Sequence, residues 1–374
     1  MAFHQKLFFL VLTLLPTQLG FHFWPEWSIV LGRRVDYLSP TIFLTDILVF
    51  LVLFFWFIET KQKKMKINKI FIVFILFSIV NIYFAQSKPV AIYKWIKVLE
   101  FVGLGWYVIK TKPKLPSIIY PLSIGVLYSS TIAIFQFIFQ HSIGLWILGE
   151  RTFAADTPGI ARFSWGREFL RPYATFPHPN VLGGFLAASL LFIFFKLRSS
   201  TFKNITLILG IAALFLSFSR SAWIAAFVGF GIMKRKFLFP ILIFIFFLSF
   251  KFNVHEESVV IRQQLNTSAI SMWKTSPIFG VGLGNFLVEL PKFLVSREVY
   301  FLQPVHNIYL LILTETGIIG LSLFIWIIYS FVKKKNSFII RISLFMILLL
   351  GFVDHYPITL EQGQLLLTIL LVLQ

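Results

Sequence analysis

The amino-acid sequence predicts an all-α polytopic membrane protein with about 12 transmembrane helices and two longer extracytoplasmic loops. Three observations carry that expectation. First, the 374 residues are 58% hydrophobic and only 13% charged, with a mean hydropathy of +0.85. A soluble domain carries roughly 25% charged residues, so a soluble globular protein is excluded. Second, the apolar residues come in runs fit to cross a hydrocarbon core of ~30 Å, which takes about 20 residues of helix. Third, the basic residues stand in short clusters between those runs, as topology signals do.

Taken in order, the apolar runs place spans at 7–24, 40–58, 70–86, 90–109, 117–140, 181–195, 205–218, 222–232, 237–252, 306–331, 338–353 and 358–373. The first follows Lys6 as a signal peptide would, but no small-residue cleavage site follows, so it reads as an uncleaved span. Basic clusters at Lys61 to Lys69, Lys110 to Lys114, Lys196 to Lys203, Lys234 to Lys236 and Lys333 to Lys335 mark every second connection. These connections and both termini are therefore expected in the cytoplasm. The same topology accounts for the net charge of +19. A nucleic-acid site would need its cations on one continuous face, and no nucleic-acid partner is expected.

The stretch 205–232 reads as two short helices meeting at Ser219-Arg220-Ser221, because a single span would put one basic cluster on the wrong side. The second helix rises only ~17 Å at 1.5 Å per residue, which places the break below the outer surface. Such a break is tolerated only against protein or a water-filled cavity. The whole chain, 1–374, reads as one integral membrane domain. Its outer loops, 140–180 and 253–305, hold most of the polar, Pro and Gly residues outside the basic clusters, and function is expected there.

With no cysteine, disulfides, thiolate chemistry and Cys-ligated metals are excluded. The first outer loop carries Arg151, Arg162, Arg167 and Arg171 against the positive-inside bias. Arg171, just ahead of Pro172-Tyr173-Ala174-Thr175-Phe176-Pro177-His178-Pro179-Asn180, reads as an anion ligand, since a guanidinium fork matches phosphate and Pro179-Asn180 opens a helix whose amides add positive potential. The other three read as headgroup contacts. An arginine buried at the 219–221 break calls for an anionic partner, and Arg220 is expected to meet a ligand phosphate rather than Glu315. His306-Asn307 opens a long helix at the outer face, where His306 is either a general base or a capping group. Glu315 reads as a structural partner, and Asp354-His355-Tyr356-Pro357 as a polar turn. Gly280-Val281-Gly282-Leu283-Gly284-Asn285 lacks a preceding strand and a Lys-Ser/Thr pair, so it is not a nucleotide loop. Its glycines are expected to turn a loop segment back against the membrane. No HxxH, HExxH or paired Asp motif offers a metal site, and neither metal nor cofactor is expected.

The stretches RPYATFPHPNVLGGFL from Arg171, SFSRSAWIA from Ser217, SPIFGVGLGNF from Ser276 and HNIYLLILTETGIIGL from His306 together resemble the O-antigen ligase and polymerase family. The likeness is densest over 165–325, and YLSPTIFLTD from Tyr37 is also similar. That resemblance implies a many-helix, GT-C-like, metal-independent glycosyltransferase of the cytoplasmic membrane with its active site outside. Its donor would be a glycan on undecaprenyl diphosphate. Its acceptor hydroxyl would belong to a lipid A core, a growing glycan or a protein, with membrane lipids around it. Carried over by motif, Arg171 and Arg220 become diphosphate ligands and His306 the catalytic base. His178, Asn180, Ser219, Asn307 and Glu315 become supporting residues, with His178 a second candidate base. A ligase is the favoured activity and a polymerase the alternative. A flippase or transporter of a lipid-linked or anionic solute is the reading from a different class.

Overall fold

The computed structural model describes residues 2–60, 69–165, 167–234, 256–294, 302–334 and 337–373. Among them the helices are α1 (Phe3–Thr13), α2 (Leu44–Thr60), α3 (Lys69–Phe84), α4 (Lys88–Thr111), α5 (Pro116–Phe139), α6 (Pro179–Lys196), α7 (Thr201–Leu216), α8 (Arg220–Met233), α9 (Glu256–Thr275), α10 (Phe286–Phe293), α11 (Ile308–Lys334), α12 (Phe338–Leu350), α13 (Tyr356–Thr359) and α14 (Glu361–Val372). Short antiparallel pairs decorate the connections: Gly20–His22 with Thr41–Phe43, Ile29–Val30 with Arg33–Arg34, and Arg162–Trp165 with Arg167–Leu170. The chain is a helical membrane protein. Three of the described helices, Pro116–Phe139, Pro179–Lys196 and Ile308–Lys333, are long and apolar enough to cross a bilayer by themselves. The expected number of about 12 spans goes beyond what helix length supports, and the span at 237–252 lies outside the described residues.

The first expected span, 7–24, is corrected. Its helix ends at Thr13, and the chain passes Pro16 into the strand Gly20–His22. Apolar residues such as Phe21 and Phe23 there extend the hydropathy signal but sit exposed on that connection.

Helix α6 is the axis of the core, with Val181 to Ile193 buried throughout. Its Gly183 and Gly184 let two site-bearing segments approach. A Cβ on Gly183 would lie 3.0 Å from Ser217 Oγ and 2.9 Å from Ala222, and one on Gly184 would overlap the Tyr356 hydroxyl.

The expected break between two short helices is present. Leu216 ends α7, Phe218 takes a left-handed φ of 48°, and α8 begins at Arg220. A second break divides α11 at Gly317 (φ 67°, ψ −171°). The backbone groups it frees are satisfied by the glycine loop before α10: Ile318 N donates to Pro277 O at 2.9 Å, Val281 N to Thr314 O at 3.0 Å and Gly282 N to Glu315 O at 3.0 Å. Asn81 fastens both sides, its amide donating to Phe279 O and Glu315 O. The loop's glycines therefore do turn it back against a helix, and irregular backbone at this depth is sustained by protein.

One buried charge network locks α2, α4 and α14. Lys97 bonds Asp46, and it lies 3.5 Å from Glu100 Oε2 and 3.0 Å from Glu361 Oε2.

Candidate functional site

Four segment ends meet at one pole of the bundle: the start of α6, the α7–α8 break, the start of α11 and the turn between α12 and α13. Gln136 of α5 holds the first of these in place. Its side-chain oxygen accepts from Tyr173 N and Ala174 N, and its amide donates to Glu150 Oε1 at 2.8 Å and Ala174 O at 3.0 Å. Ala174 takes a left-handed φ of 50°, and the turn delivers Arg171 toward the break.

Arg171 Nε donates to Ser217 O at 2.9 Å, satisfying a carbonyl that the end of α7 leaves free, and Nη2 donates to Asn180 Oδ1 at 2.8 Å. Asn180 Nδ2 in turn donates to Asp354 Oδ2 at 3.1 Å, and His355 N donates to Asp354 Oδ1 at 2.8 Å. A continuous chain thus runs from Arg171 through Asn180 and Asp354 to His355. Burial and the neighbouring Arg220 lower the Arg171 pKa to about 10, which leaves it charged at neutral pH.

Three histidines surround Asp354. His178 caps α6, its Nδ1 accepting from Asn180 N at 3.1 Å. That bond assigns the proton of the neutral ring to Nε2 and takes up its lone pair. Burial, then Arg171, depress its pKa to about 3. His355 Nδ1 lies 2.7 Å from Thr359 Oγ1, whose own proton goes to His355 O. Burial brings its pKa to about 4. The His306 ring lies 5.1 Å from that of His355 at 68°, and its Nδ1 is buried with no protein hydrogen-bond partner. Burial lowers its pKa as well. All three rings are neutral at neutral pH, and His306, whose Nδ1 has no protein partner, is the one with a lone pair free to receive a proton. Burial works against the charge on Asp354, yet His355, His306, His178 and the Asn180 bond hold its pKa below the usual carboxylate value.

The structure brings together Arg171, His178, Asn180 and His306, as the sequence expects. Asn307 caps α11, its Oδ1 accepting from Tyr309 N and Leu310 N. Two readings are corrected. Arg220 is exposed, not buried, because as the first residue of α8 it points away from the packed face, and among the described residues it has no ion pair with Glu315. Glu315 instead accepts from Phe286 N at 3.2 Å, as a structural partner of the glycine loop. Ser219 is buried, and its hydroxyl lies 3.3 Å from that of Ser221. The 354–357 segment is no solvated turn, since Asp354 and His355 are 6% and 5% exposed.

Sequence reasoning also missed Arg262 of α9. Its Nη1 donates to Val353 O at 3.3 Å, and its charge helps keep His306 and His355 neutral. Of the remaining loop arginines, Arg162 pairs with Glu168 at 2.7 Å, and Arg151 approaches Pro177 O at 3.5 Å. The Arg167 side chain lies outside the described residues.

His306, Asp354 and His355 each offer a ligand atom within 4.8 Å of one another, as do Asp46, Glu100 and Glu361. The first set could hold a divalent ion, whereas the Lys97 ammonium already serves the second as its cation. Motif spacing did not reveal them, because their members come from separate segments.

Residues 205–325 match the O-antigen ligase family. The match spans 121 of the 374 residues, so it is this region that is similar to the family. The O-antigen ligase region contains the α7–α8 break with Arg220, the glycine loop, His306 and Glu315, and it begins after Arg171, His178 and Asn180. The match supports glycan transfer of the ligase or polymerase type, with a lipid-linked glycan donor and an acceptor in general terms. No curated protein matches the chain.

Proposed function

We propose that this protein transfers a glycan from an undecaprenyl-diphosphate-linked donor to an acceptor hydroxyl at the outer face of the cytoplasmic membrane, with both termini and the basic connections on the inner side. The observation that carries this reading is the hydrogen-bonded chain Arg171–Asn180–Asp354–His355. It joins a cationic rim to a nest of neutral histidines within one cluster.

In this reading Arg171 and Arg220 hold the diphosphate. Arg220 stands at the start of α8, where the helix amides also favour an anion. The acceptor hydroxyl gives its proton to His306 as its oxygen bonds to the donor's anomeric carbon. The carbon–oxygen bond to the diphosphate breaks, and that diphosphate leaves ionised with the arginines balancing its charge. No acid is needed on the leaving side, and the arginines take the part a metal would otherwise play. Asp354 orients His355 and favours the imidazolium formed on His306. His178, with its lone pair engaged by Asn180 N, donates rather than accepts.

Ligation to a lipid A core or similar surface acceptor is favoured over polymerisation because the outer loops are modest in size. Glycan analysis of a strain lacking the protein tests the choice. A ligase defect leaves long lipid-linked glycan and a bare acceptor, whereas a polymerase defect leaves single repeat units attached to the acceptor. Unchanged surface glycan refutes the proposal.

A further inference from the structure

The connection between α1 and α2 is inside out for a segment in water. Its first strand pair sets Phe21 opposite Ile42, and directly opposed residues share one face of a ribbon. Both are exposed, at 67% and 50%, and Phe23 is exposed with them. The other face carries the polar pair. His22 stands opposite Thr41, its Nδ1 lies 3.0 Å from Thr41 Oγ1, and Thr41 is buried. A ribbon between core and water turns its apolar side in and its polar side out, and this one does the reverse.

The second pair also points an apolar tip outward. Ile29–Val30 and Arg33–Arg34 are joined by Leu31-Gly32, with positive φ at both (50° and 74°), a turn that ordinarily takes Asn-Gly or Asp-Gly. A leucine holds the first position against its steric preference, and it is 54% exposed. The Arg34 guanidinium lies over the Trp24 ring at 5.2 Å, and the His22 ring stacks on Trp24 at 5.5 Å. Arg33 and Arg34 are balanced by two exposed acids of the same connection, Glu26 and Asp36, so apolar contact rather than net charge drives what this surface meets. The segment joins the bilayer to the site. α2 follows directly on the strand Thr41–Phe43, and its Ile47 and Phe50 are already exposed. Three residues of helix rise only ~5 Å, so the lipid-facing surface starts within a turn of the ribbon. Toward the site, Val30 and Val35 pack in one buried cluster with Val305 and Leu311, and the Tyr37 ring stands edge-on to that of His355 at 5.4 Å.

We infer that residues 20–34, with the strand Thr41–Phe43, form a wedge that lies in the lipid interface, with Phe21, Phe23, Leu31 and Ile42 among the acyl chains and Trp24 and Arg34 level with the phospholipid phosphates. Tryptophan gathers at that depth, and apolar groups seat a segment in the headgroup boundary. A guanidinium held against a ring there donates to a phosphate. The choice of the outer leaflet rests on the orientation proposed above. Through Tyr37 and Val35 the wedge sets the histidine cluster near the depth of a lipid-borne diphosphate.

Because the chain has no cysteine, Leu31→Cys and, separately, Phe23→Cys each give one attachment point for an NBD dye on the full-length protein in phospholipid nanodiscs. The dye should lose most of its emission when the phospholipid carries a doxyl group at the top of its acyl chain, and little to aqueous iodide. Adding Arg34→Gln to Leu31→Cys should weaken doxyl quenching and strengthen iodide quenching, and Arg34→Lys should do so less, since it keeps the charge without the fork. Strong iodide quenching with little doxyl quenching at both positions overturns the wedge. Protection from both quenchers overturns it too, and shows that a protein face such as a second copy of this chain covers the surface. Quenching unchanged by Arg34→Gln overturns the phosphate contact. No turnover is measured, so failure here leaves the glycan-transfer reading standing, and failure of that reading leaves the wedge standing.

Discussion

Arg220 and Arg171 carry the same proposed role on opposite structural terms, and that difference can be measured. Arg171 makes two charge-assisted hydrogen bonds to the protein, to Ser217 O and Asn180 Oδ1. Each is worth ~1.5 to 3 kcal/mol, so Arg171→Ala should destabilise the fold by several kcal/mol, and loss of activity alone would not prove a ligand role. Arg220 is exposed and sits at the start of α8, where a positive charge opposes the helix dipole by ~0.3 to 1 kcal/mol. Arg220→Ala should therefore leave the melting temperature unchanged or slightly raised. Losing its bond to the diphosphate should still cost ~1.5 to 3 kcal/mol, a rise of about 10- to 150-fold in donor KM. Arg220→Lys should recover part of this, since it restores charge without the fork. The assays are thermal unfolding in detergent and initial rates against donor concentration. A normal donor KM for Arg220→Ala, or a large fall in its melting temperature, would refute the reasoning.

Four further outcomes are expected. His306→Ala should lower turnover by about 10² to 10⁴-fold with donor KM little changed. Because the His306 pKa is lowered from 6.5, wild-type activity should be level above that pH and fall below it, and a profile that keeps rising well above pH 7 would point to another base. Lys97→Met leaves Asp46, Glu100 and Glu361 without their shared cation and should cost ~3 to 5 kcal/mol. Glu361→Gln removes one of three carboxylates and should cost far less, and equal melting points for the two variants would contradict the network as described. Gly317→Val forces a left-handed residue whose Cβ would meet Ile278 O at 2.1 Å, so it should abolish folded yield, whereas normal expression would mean the break is not maintained. Finally, EDTA should leave turnover intact, and loss of activity restored by zinc would place an ion on His306, Asp354 and His355.

What the sequence made legible was whatever a local signal encodes. Helix positions followed from apolar runs, and the α7–α8 break followed from basic clusters at both ends of 205–232. Pro179-Asn180 announced the start of α6, so Arg171, His178 and Asn180 were found together. His306-Asn307 likewise announced α11. The failures lie where the decisive partner is distant along the chain. Asp354 reads as a turn residue until α6 supplies Asn180 to bond it, and that packing depends on Gly184 admitting Tyr356. Arg262 lies in a polar helix with no motif around it, and only the packing of α9 brings it to Val353 O. Arg220 misled in the other direction, because its place in an apolar stretch implied burial that the geometry of a helix start does not impose.

The central claim is that this cluster makes a glycosidic bond. The most direct test supplies purified full-length protein in detergent with an undecaprenyl-diphosphate-linked glycan and a lipid extract containing the acceptor, and looks for product by mass spectrometry. The account predicts a glycan–acceptor conjugate with stoichiometric release of undecaprenyl diphosphate, abolished by His306→Ala. Intact donor under these conditions, together with protein-dependent movement of the same donor across liposomes, would contradict it and show a transporter instead.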